Sequence, residues 1–207
     1  MIGIVDYGMG NILSVYHALE MVGVDAKVCS SPEELSDVDR IVLPGVGAFK
    51  DCMVNLKAKG FIDILEQAAF GYLKPILGIC LGLQAMARRS FEGGEHQGLG
   101  WIDGDVIGIQ RSDSSLRVPQ MGWNAVQYRP GSPLFSGLPA LPDFYFVHSY
   151  YLKCDHETDV DATCIYGGTL TAAVRKNNIF ATQFHPEKSQ DYGLKILENF
   201  VKWDITC

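Results

Sequence analysis

The segment Ile76-Leu77-Gly78-Ile79-Cys80-Leu81-Gly82-Leu83-Gln84 constrains this chain more than any other. A short apolar run ends at a cysteine, with one glycine two residues before it and another two after. Helix-forming residues, 84–89, follow at once. The pattern predicts a strand, a sharp turn and a helix, with Cys80 at the turn. Such a turn strains the backbone at its tip, so the residues pressed against it must be small. The glycines meet that need. The sulfur then stands at a helix N-terminus, where free N–H groups and the helix dipole favour a thiolate. Cys80 is therefore a candidate nucleophile for chemistry that passes through a thioester.

The rest of the chain suits a reduced enzyme of one domain. Its 207 residues give a substantial core without requiring a second domain, so residues 1–207 read as one unit. The net charge of −7 argues against broad nucleic-acid binding, which needs a basic surface. No apolar run approaches the roughly 18 residues of a membrane helix. The opening Met1-Ile2-Gly3-Ile4-Val5-Asp6-Tyr7 lacks a basic leader and reads as a strand. The six cysteines, Cys29, Cys52, Cys80, Cys154, Cys164 and Cys207, are scattered, with no C-x-x-C pair. That excludes a disulfide framework and a zinc site and points to the cytoplasm. No metal or organic cofactor is implied, since ligand spacing and a dinucleotide fingerprint are both missing.

The first half alternates strand and helix. Residues 2–6, 26–29, 40–43 and 76–79 are short apolar runs. Residues 11–22, 48–59 and 61–72 show helical periodicity, with Gly23 and Gly60 as stops. This rhythm predicts a mostly parallel, twisted sheet with helices on both faces, in the manner of a flavodoxin-like core. Ligands bind such sheets beyond the carboxyl ends of the strands. The loops 44–47 and 78–82 both lie at such ends. After a polar, glycine-rich loop at 90–100 the pattern changes to short strands, at 105–110, 124–128, 144–147, 150–154, 169–175 and 179–184. These read as an antiparallel or mixed section added to the parallel core. A helix over 192–201 closes the chain.

A cysteine nucleophile needs a base and a group to orient that base. His185 lies in Gln183-Phe184-His185-Pro186-Glu187-Lys188-Ser189, just after an apolar strand. Glu187 is two residues on, and in extended chain such residues share a side. The carboxylate can hold one imidazole nitrogen while the other faces Cys80. His148 is a rival base, without an acid at short range. His17 falls in a helix, and His96 and His156 fall in polar loops. For the oxyanion, Gly45, Val46 and Gly47 form a glycine-rich strand-to-helix loop whose N–H groups can point at developing charge. The Leu81 amide, just after Cys80, is a second donor. The loop lacks a Walker lysine-Ser/Thr pair, so phosphate cradling is the weaker reading.

Together the Gly78–Gln84 elbow, Gln183–Ser189 and Pro44–Gly47 resemble class I, triad-type glutamine amidotransferases. Asp6-Tyr7-Gly8-Met9-Gly10-Asn11, Val118–Asn124 and Tyr145–Tyr150 narrow the resemblance to the glutaminase subunits of imidazole glycerol phosphate synthase. The resemblance covers nearly the whole chain. It implies that Cys80 attacks the glutamine side-chain amide and that His185, oriented by Glu187, protonates the leaving ammonia. Gly47 and Leu81 would supply oxyanion amides. Gln84 and the backbone of Ser149 and Tyr150 would hold L-glutamine. Ammonia would pass to a (β/α)8 cyclase in a heterodimer making imidazole glycerol phosphate and AICAR for histidine biosynthesis. Met121, Trp123, Asn124 and Lys188 would lie near that interface. Gln120 stands where the family usually has histidine. The loop 91–100 also resembles paralogues that serve sugar-modifying amidotransferases of surface-polysaccharide synthesis, which leaves a second acceptor open. A non-catalytic binding module would lack part of the triad. A free-standing γ-glutamyl hydrolase would have no use for a Trp-Asn docking segment.

Overall fold

The structure is a computed structural model that describes residues 1–111 and 116–204. Cys207 lies outside the described residues. The chain begins with β1 (Ile2–Val5), α1 (Ile12–Met21), β2 (Ala26–Cys29), β3 (Arg40–Gly45), α2 (Phe49–Ala58) and α3 (Phe61–Glu66). Next come β4 (Ile76–Cys80), α4 (Leu81–Ala85), β5 (Ala87–Ser90), β6 (His96–Gln97) and β7 (Ile102–Gly108). The second half adds β8 (Gln120–Tyr128), β9 (Asp143–His148), β10 (Tyr150–Cys154), β11 (Val160–Ile165), β12 (Thr169–Lys176), β13 (Ile179–Thr182) and α5 (Gln190–Lys202).

Nine strands form one sheet in the order β2-β1-β3-β4-β13-β12-β11-β8-β9. From β2 to β13 every pairing is parallel, and from β13 to β9 every pairing is antiparallel. Strands β1, β4 and β13 are buried at every position, as expected where helices cover both faces of a parallel sheet. One apolar cluster joins α2 and α3 to the sheet through Phe49, Leu56, Phe61 and Leu65. The other lies under α1 and α5 through Val15, Leu19, Ile196 and Phe200. A second sheet, β10-β7-β5-β6, packs beside the first.

The βα rhythm of the first half is present as expected. Three details of the sequence reading change. The helix expected over 84–89 ends at Ala85, and 87–90 is a strand. The carbonyls of Ala85, Met86 and Ala87 accept N–H groups from residues 99–102, so tertiary pairing overrides a helical propensity of only moderate size. Residues 61–72 start as α3 but finish in a π-helical turn, Gln67–Gly71. Strand β13, read as part of the added section, is the fifth parallel strand of the core and pairs directly with β4.

The register of β3, β4 and β13 builds the elbow. Gly45 is level with Cys80 on one side, and Thr182 is level with Ile79 on the other. Cys80 has φ 54° and ψ −105°, in the region where a non-glycine residue is strained. The turn that follows runs against β3. A Cβ on Gly82 would lie 1.9 Å from the Leu43 carbonyl oxygen, so only glycine fits. A Cβ on Gly78 would meet Ala181 Cβ at 3.0 Å.

This close approach carries a prediction. Gly82→Ala must push α4 off β3, and overpacking against backbone costs about 3 kcal/mol. Urea unfolding should show a lowered midpoint with little change in slope. A midpoint equal to that of the unsubstituted chain would contradict the packing described.

Candidate active site

Phe184 is the anchor of the second half of the site. Its ring stacks on Phe144 at 4.0 Å between centroids and contacts Phe146 and Phe135 edge-on. That aromatic cluster ties the end of β13 to β9. Backbone bonds then hold the next turn: His185 N–H donates to the Tyr145 carbonyl at 2.9 Å. The Ser189 hydroxyl donates to the His185 carbonyl at 2.6 Å and accepts from the Tyr145 N–H at 3.0 Å. Pro186 opens the short helical turn Pro186–Lys188, which swings Glu187 back beneath the imidazole.

His185 and Glu187 side chains are each only 1% exposed. Their Nδ1 and Oε1 atoms lie 2.8 Å apart. Burial acts to lower the His185 pKa, but Cys80 and Glu187 outweigh it and raise the value to about 9. His185 Nε2 makes no conventional hydrogen bond, so the sulfur acts on the ring from a longer range. Cys80 itself is 6% exposed. Its sulfur accepts the Gln183 side-chain amide N–H at 3.6 Å.

A cavity of about 310 Å³ opens on the sulfur. Val46, Gly47, Cys80, Leu81, Gln84, Ser149, Tyr150 and His185 line it, so residues from four separate segments meet in one place. Gly45 sits just behind, packed against Leu81 and Gly82. Gly47 has φ +108°, which favours glycine, and a Cβ there would strike Met9. Glu187 lies behind the His185 ring. Gln84 is less free than a substrate contact would be. Its Nε2 donates to the Tyr150 carbonyl at 2.8 Å and to Gln183 Oε1 at 3.1 Å. The Ser149 carbonyl already accepts the Ile109 N–H.

The four expected interface residues lie apart from the cavity floor. Met121 and Trp123 project from β8 and are 65% and 49% exposed. Trp123 packs edge-on against Tyr145. Asn124 Nδ2 donates to the Ile165 carbonyl, and Lys188 is exposed.

Four cavity residues escaped the sequence reading: Glu92, Pro119, Val147 and His148 as a wall residue. Glu92 comes from the polar loop, and its carboxylate accepts the Phe49 N–H at 2.7 Å, capping α2. His148 is the rival base of the sequence, and its environment opposes that role. Burial pushes its pKa down to about 4. Its Nδ1 donates to the Tyr150 carbonyl at 2.8 Å, and its Nε2 lies 3.0 Å from the Gln120 amide. A neutral ring donating from Nδ1 has only a lone pair at Nε2. The Gln120 amide must therefore turn its N–H toward the ring, which also occupies a nitrogen otherwise buried without a partner. Among the described residues no group of three His, Cys, Asp or Glu side chains stands ready to hold a metal ion.

A strained cysteine at a parallel strand end, a buried His–Glu pair just beyond the end of the adjacent strand and a glycine loop opposite define a class of enzyme. The profile of the family "Glutamine amidotransferase class-I" matches residues 3–203, and the chain belongs to that family. Within it, the chain is 47% identical over 202 residues to "Imidazole glycerol phosphate synthase subunit HisH 1" of Campylobacter jejuni (strain RM1221), covering 98% of this chain and 100% of that one. It is 49% identical over 205 residues to "Imidazole glycerol phosphate synthase subunit HisH" of Syntrophotalea carbinolica, covering 97% and 98%. The fold is shared with a solved "glutamine amidotransferase" at TM-score 0.74, 21% identity and 97% and 98% coverage. No described helix is long and apolar enough to cross a membrane.

The His185 environment yields a second prediction. The folded pKa, about 9, lies above the ordinary 6.5. The stabilisation it brings is complete below about pH 6.5 and is lost as pH rises through about 9. Glu187→Gln removes part of the support for the charged ring. The stability gap between the two proteins in urea should therefore be wide at pH 6 and narrow by pH 10. A gap independent of pH would count against the pairing.

Proposed function

We propose that this chain is the glutaminase subunit of an imidazole glycerol phosphate synthase. The observation that carries the chemistry is the parallel β4–β13 pairing, which brings Cys80 and the His185–Glu187 pair to one cavity. The partner assignment rests on full-length similarity to subunits of that name. The same similarity favours this acceptor over the sugar-modifying one.

Glutamine enters the cavity with its side-chain carbonyl carbon at Cys80. The Glu92 carboxylate on the cavity wall supplies a counter-charge for an ammonium group. His185, whose raised pKa keeps its ring charged at neutral pH, already holds the proton given up by the thiol, and the Cys80 sulfur bonds to the amide carbon. The carbonyl electrons collect on oxygen, where the Leu81 N–H is available because the first N–H groups of a helix have no partner within it. Gly47 or Val46 supplies the other donor from across the cavity. His185 returns its proton to the nitrogen, the C–N bond breaks and ammonia leaves. Water, deprotonated by His185, then attacks the thioester, and glutamate leaves as sulfur recovers its proton. Glu187 keeps the ring in the orientation both steps need. Ammonia passes to the (β/α)8 cyclase, which docks over the exposed Met121 and Trp123 beside the site, with Asn124 and Lys188 at its margin.

A glutaminase assay on the chain, with and without the cyclase and its nucleotide ligand, tests this. Activity should be weak alone and rise at least about tenfold with the loaded partner. Cys80→Ala should fall to background. A flat response to the partner would refute the acceptor assignment, and an active Cys80→Ala would refute the mechanism. Trp123→Ala should weaken the complex by at least about tenfold in titration calorimetry, as loss of a central aromatic contact does.

A further inference from the structure

Gln183 has no part in the reaction as derived above, yet its side chain is wholly buried and touches the reacting sulfur. Which end of the amide faces the sulfur decides what it does. An oxygen would repel a thiolate, whereas an N–H would stabilise one.

The neighbouring atoms settle the choice. A backbone carbonyl can only accept hydrogen bonds. The Tyr150 carbonyl lies 2.8 Å from the Gln84 amide, so Gln84 must present its nitrogen there. That same nitrogen lies 3.1 Å from the Gln183 amide and has a second N–H to donate. Gln183 must therefore present its oxygen to Gln84. Its nitrogen is left for Cys80 Sγ, 3.6 Å away. Gln84 is nearly as buried as Gln183, so water does not compete for either amide. The second lone pair of the Tyr150 carbonyl is filled by the neutral His148 ring. Gln84 thus donates to both of its neighbours, and the Gln183 amide is left with its N–H end toward the sulfur.

We infer that Gln183 is a catalytic residue whose side-chain N–H, oriented through Gln84 by the Tyr150 carbonyl, stabilises negative charge on Cys80 Sγ. This deepens the glutaminase reading and rests on it for the identity of the substrate. The donor serves two moments of the reaction. It favours the sulfur anion that attacks the amide. It also favours the same anion as it leaves the thioester, when the C–S bond breaks and the electron pair returns to sulfur. The register explains why this position is open to Gln183: Thr182 is level with Ile79, so the next residue of β13 arrives beside Cys80.

Alkylation of Cys80 by iodoacetamide in the full chain, read by peptide mass between pH 5 and 9, tests the inference. A hydrogen bond to a charged group is worth about tenfold or more. Gln183→Met should therefore alkylate about tenfold more slowly at pH 7, with its profile moved to higher pH. Its glutaminase kcat should fall by a similar factor while KM changes little. Gln183→Glu keeps the shape and the Gln84 contact but sets an oxygen on the sulfur, and should be slower still. A natively folded Gln183→Met with the unsubstituted alkylation profile overturns the proposal. Should both variants fail to fold, the Gln183 side-chain amide resonance of the unsubstituted protein decides. It must shift as Cys80 titrates and stay fixed in Cys80→Ser; a resonance indifferent to Cys80 overturns the proposal. Alkylation needs no glutamine, so an unsubstituted chain without glutaminase activity would refute the substrate and leave the role of Gln183 to be judged separately.

Discussion

The close approach of Gly82 to the Leu43 carbonyl is the constraint on which the rest of the site depends. It seats α4 against β3 and leaves Cys80 no backbone conformation but a strained one. Gly45 and Gly78 extend the same requirement to both sides of the turn, because each faces an atom that a Cβ would strike. The strain persists because parallel strands fix the cysteine from left and right. The result is a sulfur held at a strand tip, with a glycine loop on one flank and a buried amide on the other. A rigid sheet thus supplies the positional accuracy that a cavity built on loops alone would lack.

Two histidines at this cavity show how neighbours divide roles between identical side chains. His185 and His148 are both buried, and burial acts on both in the same direction. The difference lies in what each ring meets. His185 has a carboxylate on one side and a thiol on the other, so it keeps its proton readily. His148 has a carbonyl and an amide, which satisfy a neutral ring without supporting a charged one. The first is equipped to move protons. The second braces the β9–β10 turn and, through the Tyr150 carbonyl, the amide chain that ends at Cys80.

Much of this was legible in the sequence because it was local. The elbow, the His185–Glu187 spacing and the Pro44–Gly47 loop are short-range patterns with short-range physical causes. The βα rhythm likewise announced the parallel core. What the sequence hid depends on tertiary pairing. Strand β11 carries Asp161, which breaks its apolar pattern; from distant segments Ser132 donates a hydrogen bond to that buried carboxylate and Arg175 lies 3.6 Å from it. Strand β5 looks helical until residues 99–102 claim its neighbours' carbonyls. The parallel placement of β13 was not readable either, since nothing in its own residues says which strand it meets. Gln183 was visible only as part of a motif, because its role depends on Gln84 and Tyr150, each far away along the chain.

The other sulfur atoms show how the molecule tolerates several thiols around one working one. Burial pushes Cys52 and Cys154 up to about 12 and Cys164 up to about 11, and it raises Cys29 as well. At neutral pH these thiols keep their protons and behave as small apolar fillers. Selectivity is thus achieved by solvation and not by leaving cysteine out of the composition. The corollary is that, among the described thiols, electrophiles and oxidants in the surrounding medium are steered to Cys80. One adduct there silences the molecule while leaving its core untouched, so damage by such agents appears as loss of turnover in a fully folded protein.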